Sequence, residues 1–276
     1  MKKQFSSQPR KAKVKGKLKA PDGITFLGTG GARFVIAKQL RATGGMLFRI
    51  GGKNVLVDPG PESLCRLLSY VPGVTPDKLD CIILSHKHID HSADVNVYLD
   101  ALSEGGFKKR GLLVAPQDAF GQDGVIYNYL LDFMKEIKII KPGLSFTLDG
   151  LEFTFPVRHD HRVETYGFKL GYAGYAVSYI TDTRFFKELI DAYRADIIIM
   201  NLIKLEPSDI DHLSVPDCVE LIKGIRPKAA IITHFGMTII RAGPWNIARQ
   251  LTKETGVKVL AAEDGRHYEI SKLLAT

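Results

Sequence analysis

A chain of 276 residues with 45% hydrophobic content can bury a full core, and it holds no apolar run near the roughly 18 residues that a spanning helix needs. No secretory leader pattern opens it, so a cytoplasmic protein with no membrane span is expected. The formal net charge of +8 suggests nucleic acid until it is located: residues 1–20 carry Lys2, Lys3, Arg10, Lys11, Lys13, Lys15, Lys17 and Lys19 with no acid, and the remainder balances to zero.

That segment reads as a basic flexible tail, 1–20, ahead of a single domain over 21–276. Such a tail can touch phosphates or a membrane surface, although a solvated charge run is the plainer role. Strand-like runs follow at Ile24–Gly28, Met46–Ile50, Asn54–Asp58 and Asp80–Ser85. Apolar residues three and four apart predict helices at Ser63–Tyr70, Ala93–Ser103 and Val125–Glu136, with a buried strand at Gly111–Ala115. From Leu144 to Ile180 a second set of strands is punctuated by Asp149-Gly150, Gly171 and Gly174, read as hairpin turns. The last third alternates helix and strand: Phe185–Tyr193, Ile197–Met200, Val215–Ile222, Ala229–Thr233, Pro244–Thr255 and Val257–Ala261. Gly28-x-Gly30 lacks the third glycine and the acidic partner of a dinucleotide loop, so a tight turn is expected there. Cys65, Cys81 and Cys218 fit no C-x-x-C pattern and are expected as buried, reduced thiols.

The informative string is Ser85-His86-Lys87-His88-Ile89-Asp90-His91, directly after an apolar strand. Neutral imidazole suits zinc or iron, and a carboxylate beside it adds the negative charge a divalent cation needs. A solvated loop accounts for one histidine; H-x-H-x-D-H behind a strand reads as a metal site. More donors close other predicted strands: His159 and His161 in Val157–Leu170, Asp182 in Tyr179–Thr183, and His234 in Ile231–Gly236.

Together with F-L-G-T-G-G at Phe26–Gly31 and V-L-V-D-P-G at Val55–Gly60, these segments resemble the metallo-β-lactamase superfamily, over residues 24–270. The resemblance implies an α/β fold, the αββα sandwich of two packed mixed β-sheets with helices on the outer faces. It also implies two metals. His86, His88 and the third-motif histidine would hold one, Asp90, His91 and His234 the other, and Asp182 would bridge them, with Asp90 counted among the catalytic groups too. Seven donors around two ions leave room for a shared water whose pKa such a pair lowers, so a metal-bridging hydroxide is the expected nucleophile. Two zinc ions are expected because the set is imidazole-rich and thiol-free; iron or manganese also suit it. His159 and His161, two apart, share a face if the segment is extended. The spacing of H-R-V-E-T-Y-G-F resembles the ribonuclease Z form and favours His161, leaving His159 to support a ligand or face substrate. Asp58 is expected to orient a histidine of the metal loop. His212, in Asp211-His212-Leu213-Ser214, belongs to no metal motif. In the ribonuclease Z branch a histidine at a similar place assists the scissile phosphate or protonates the leaving group, while Ser214 reads as a helix N-cap. His267 has no motif support.

The same metal core hydrolyses phosphodiesters, lactones, thioesters and β-lactams, so the fold does not choose the substrate. F-L-G-T-G-G, H-R-V-E-T-Y-G-F and His212 are similar to ribonuclease Z and its small cyclic-phosphodiesterase relatives. The span from His161 to Asp182 is too short for a long arm that grips transfer RNA, and no β-CASP domain stands between Asp182 and His234. A dinuclear phosphodiesterase of a small or flexible substrate is therefore expected, with nucleic acid admissible through the tail. The alternatives are a lactone, ester or thioester hydrolase and, in another class, a nucleic-acid-binding protein with structural metals that uses the tail and Lys108-Lys109-Arg110. The sequence does not fix the oligomeric state; a homodimer is compatible with it.

Overall fold

The computed structural model describes residues 21–275, so the basic segment 1–20 lies outside the described residues. Among these, fourteen strands follow in chain order: β1 (Gly23–Phe26), β2 (Met46–Ile50), β3 (Lys53–Val57), β4 (Cys81–Ile83), β5 (Arg110–Pro116), β6 (Met134–Ile140), β7 (Leu144–Leu148), β8 (Leu151–Phe155), β9 (Phe168–Tyr172), β10 (Tyr175–Ile180), β11 (Ile197–Asn201), β12 (Ala229–Thr233), β13 (Lys258–Ala261) and β14 (His267–Glu269). They make two seven-stranded sheets, ordered β14-β1-β2-β3-β4-β5-β6 and β13-β12-β11-β10-β9-β8-β7.

Alternation within the strands sets the layers. Phe48, Val55, Val57, Cys81, Ile83 and Val114 of the first sheet meet Phe153, Phe168, Val177, Ile197, Ile199 and Ile231 of the second in one central core. The residues between them, such as Leu47, Leu56, Ile82 and Leu113, point outward and are buried under Leu67, Val95, Leu99 and Leu102 of helices Ser63–Tyr70 and Val95–Leu102. Ile198, Met200, Ala230 and Ile232 do the same beneath helices Val215–Ile225 and Pro244–Thr255. Strands apolar on both faces must be covered on both, and four layers, αββα, are the result.

Each sheet is half antiparallel and half parallel. β3 to β6 run parallel, as do β10 to β13, and the carboxyl ends of such strands are where α/β folds place ligands. The antiparallel halves turn tightly: Gly51-Gly52, Asp149-Gly150 and Ala173-Gly174 each place two consecutive residues at positive φ, as two-residue hairpins require.

Several expectations are corrected. Gly171 is no turn; it sits within β9 opposite Glu152 and Ala176. The helix expected over Val125–Glu136 is one short turn, Asn128–Leu131, followed by β6. Ile126, Leu130 and Met134 are all buried at a spacing of four, which mimics a helical face, but the parallel ladder to β5, pairing Leu113 with Ile137, takes the chain at Met134. The last-third helix expected from Phe185 covers only Glu188–Ala192. Cys81 and Cys218 are buried, whereas Cys65 is exposed, because its helix buries Ser63 and Leu67 and turns Cys65 away.

Candidate metal centre

The donors converge where parallel strands of both sheets end. Asp58 follows β3, His86 to His91 follow β4, Asp182 follows β10 and His234 follows β12; His159 and His161 lie between β8 and β9, and His212 between β11 and the helix Val215–Ile225. Two of these residues have backbones in the left-handed region, Asp58 at φ 50° and His234 at φ 58°. Non-glycine residues adopt that conformation when the surroundings impose it, a common sign of a functional position.

Three sets of donor atoms lie within 4.8 Å of one another: His86, His88 and His161; His86, His91 and Asp182; Asp90, His91 and His234. The middle set shares one member with each of the others, which puts Asp182 between them. His161 Nε2 is 3.1 Å from His88 Nδ1, and His91 Nε2 is 3.0 Å from His234 Nε2. Asp182 Oδ2 lies 3.8 Å from His86 Nε2 and 3.5 Å from His91 Nε2, while its Oδ1 is 3.4 Å from His234 Nδ1. Asp90 Oδ2 stands 3.3 Å from His234 Nε2 and accepts the Ala32 amide at 3.2 Å.

Hydrogen bonds behind the cluster select tautomers. Asp58 Oδ2 accepts from the Ser85 hydroxyl at 2.8 Å, the Tyr179 hydroxyl at 3.0 Å and His91 Nδ1 at 3.0 Å, which leaves His91 Nε2 to face inward. With its proton on Asp58, the Ser85 hydroxyl accepts from His86 Nδ1 at 3.0 Å. His86 Nε2 is then buried without a hydrogen-bond partner, as are His234 Nδ1 and His212 Nδ1. His161 Nδ1 donates to the Asp211 carbonyl at 3.0 Å, again aiming Nε2 at the cluster.

The geometry brings His161, and not His159, to His86 and His88. His159 has both nitrogens engaged, Nδ1 on the Asp182 carbonyl at 3.2 Å and Nε2 on the Tyr193 hydroxyl at 2.7 Å, so it braces the strand end that carries Asp182. His212 Nδ1 is 3.5 Å from Asp182 Oδ2, with its ring between those of His161 and His234. His267 stands apart, bonded to Thr25 and the Pro21 carbonyl. Of the cationic trio, Lys108 and Arg110 both bond Glu104.

The electrostatics fit a dication. Asp58, Asp90 and Asp182 are buried, and all their ion pairs among the described residues are with histidine. Burial pushes the imidazoles of His86 and His88 down, and those of His159 and His212 down to about 4, which favours the neutral form a metal requires. Burial alone would raise Asp182, but the rings of His234, His212 and His91 hold its carboxyl well below the usual range. For His91 the facing carboxylates of Asp58, Asp90 and Asp182 overcome burial and raise it strongly, a local demand for positive charge. Unpartnered buried nitrogens beside buried carboxylates match divalent-cation ligation, the imidazole and carboxylate set suits zinc, and no thiol enters it.

Several supporting residues carry no sequence signature. Ser85 and Tyr179 act through Asp58, and Asn201 donates to Asp182 Oδ1 at 2.8 Å. Asp264 ties the Phe26–Gly31 turn by accepting the Thr29 amide and hydroxyl at 2.8 and 2.7 Å. A Cβ on Gly31 would fall 2.2 Å from His234 Nδ1, so this glycine makes room for the ring.

An αββα sandwich with clustered imidazoles and carboxylates at the end shared by both sheets defines the metallo-hydrolase class. The chain belongs to the β-lactamase superfamily, whose domain model matches residues 53–235. A protein of Methanocaldococcus jannaschii with no assigned activity is 28% identical over 90% of this chain and 94% of its own length. A probable metallo-hydrolase of Bacillus subtilis, YhfI, is 31% identical over 64% of this chain and 70% of its own. The crystal structure of YhfI superposes with a TM-score of 0.74 at 24% identity, covering 90% of this chain and 99% of that one. The short form of human tRNase Z gives 0.67 at 18%, covering 90% and 98%.

Proposed function

We propose that this chain is a phosphodiesterase that binds two divalent cations, zinc in preference to iron or manganese, and cleaves a small or flexible phosphodiester. The observation that carries the reading is Asp182, whose two carboxylate oxygens face donors of both histidine groups and His212. In this reading His86, His88 and His161 hold one ion and Asp90, His91 and His234 the other. Bound there, the pair would supply Lewis acidity toward the phosphate oxygens and toward water. Asp58, directly on His91 and through Ser85 on His86, keeps two of the rings turned inward. The His212 ring, neutral and mostly buried, offers a hydrogen bond to the charge that builds on the phosphate or its leaving oxygen.

Support for phosphodiesters over carboxylic esters comes from the F-L-G-T-G-G and H-R-V-E-T-Y-G-F segments and from the placing of His212. A ribonuclease Z of Methanopyrus kandleri is 37% identical over 70 residues, a quarter of this chain. An ester, lactone or thioester hydrolase is the second reading, since the cluster itself serves any of them. The test is turnover of bis-p-nitrophenyl phosphate against a lactone and a thioester, by the full chain and by a form lacking residues 1–20. Phosphodiester cleavage in both forms is expected. Faster lactone or thioester turnover defeats the reading, and nucleic-acid binding without hydrolysis replaces it with a binding protein. His86→Ala and Asp182→Ala should abolish cleavage; normal activity at normal metal content would overturn the mechanism.

A further inference from the structure

The segment between β11 and the helix Val215–Ile225 delivers two groups to the metal centre, the Asp211 carbonyl on His161 and the His212 ring beside Asp182. Its middle has little of its own to hold it. Glu206 to Ile210 are exposed, Ile210 at 56%, so apolar packing does not fix their path. The base is closed by main-chain pairing, with the Leu213 carbonyl accepting from the Lys204 amide at 3.3 Å and the Lys204 carbonyl accepting from Val215 at 3.1 Å.

Inside the loop lies one buried ammonium. Lys204 is 8% exposed, and its Nζ donates to the carbonyls of Ser208 at 3.1 Å and Ile210 at 3.0 Å. The Ile210 carbonyl also accepts the His212 amide at 2.8 Å, so one oxygen ties the lysine to the backbone of the histidine. Arg184 grips the same loop from outside, through Asp211 Oδ1 at 2.6 Å, but its side chain is 42% exposed, where water and salt weaken such bonds. A buried donor that joins the Ser208 carbonyl to the Ile210 carbonyl already bonded to His212 is the stronger tie.

We propose that Lys204 is a positioning residue: it fixes the loop so that the Asp211 carbonyl holds His161 in its inward-facing tautomer and His212 rests against Asp182. The effect on turnover rests on the phosphodiesterase reading; the effect on His161 does not. Lys204 bonds the Ser208 and Ile210 carbonyls and no side chain of the donor sets, so it acts through backbone.

The test compares full-length protein with Lys204→Met, which keeps the aliphatic stem one atom shorter and removes the donors, and Lys204→Gln, which has the same reach as Met and restores an N–H donor. Three quantities are read: the His161 tautomer by nitrogen-15 NMR of labelled histidine, zinc affinity by chelator competition, and kcat and KM on bis-p-nitrophenyl phosphate. The Met variant should lose the single Nδ1–H tautomer of His161, bind one of two zinc ions about 10-fold more weakly, and lose about 10-fold in kcat with KM within about twofold, as removal of a ligand's supporting bond does. The Gln variant should recover part of each loss. A Met variant identical to the parent in the His161 signal and zinc affinity overturns the proposal, and so do Met and Gln variants impaired alike, which would mark a general packing role. If the parent cleaves no phosphodiester, the proposed reaction fails while the histidine spectrum and zinc titration still decide Lys204.

Discussion

Asp58 holds three donors on one oxygen and the Ser85 amide, at 2.7 Å, on the other, so it orients His91 directly and His86 through Ser85. Asp58→Asn keeps the shape and turns part of this acceptor into a donor, which should lower zinc affinity about 10- to 100-fold, as loss of a ligand's supporting partner does. Chelator competition measures it, and an affinity within twofold of the parent would remove Asp58 from this role. His212→Ala should differ in kind: a kcat loss of about 10²- to 10³-fold with both metals retained, the size expected for one hydrogen bond to developing charge. Metal analysis alongside steady-state kinetics separates the cases, and loss of zinc in the alanine variant would instead place His212 among the ligands. At this scale the sequence announces the donors, because imidazoles and carboxylates bunch at strand ends. It separates His161 from His159 only through a resemblance in spacing. The physical separation depends on what stands behind each ring, a backbone carbonyl of Asp211 for one and a tyrosine hydroxyl for the other. A carbonyl partner is the same atom whatever the residue, so it leaves no trace in the sequence.

Elements were legible where both faces of a strand or one face of a helix are buried. β11 and β12, buried throughout, and the helix Val215–Ile225 stand where the pattern puts them. β6 was not legible, since it is an edge strand whose identity comes from its ladder to β5 and not from alternation. The start of Val215–Ile225 is a case of strong local coding. Ser214 caps it, its hydroxyl and amide both meeting Asp217 Oδ2 at 2.6 and 2.8 Å in a capping box, with Pro216 in the first turn. Ser214→Ala should destabilise the fold by about 1 kcal/mol. Urea unfolding should show a lower midpoint at an unchanged slope, and a midpoint equal to the parent's would mean that the cap is redundant.

For the whole molecule, the metal centre is also a stability term. Buried carboxylates and imidazoles stand together in a set suited to a dication, and ligands that bind only the folded state raise its stability by mass action. Chelation should therefore lower the melting temperature, and adding zinc should restore it. Asp90→Asn should weaken metal binding and also lower the melting temperature of the metal-free protein, because, against the effect of burial, the His91 and His234 rings hold the Asp90 carboxyl well below the usual range and its charge therefore favours the fold. A metal-free Asp90→Asn protein that melts above the metal-free parent would show that repulsion among the carboxylates outweighs the histidines.

The donors come from both sheets. Asp58 and the His86–His91 string close strands of the first, and Asp182 and His234 close strands of the second. A chain folding from either end therefore owns only part of the site until the two sheets dock. Contacts of such long sequence separation form late, because the loops they close are costly in entropy. A site divided between two sheets in this way should be competent to take up an ion only on chains whose halves have already met.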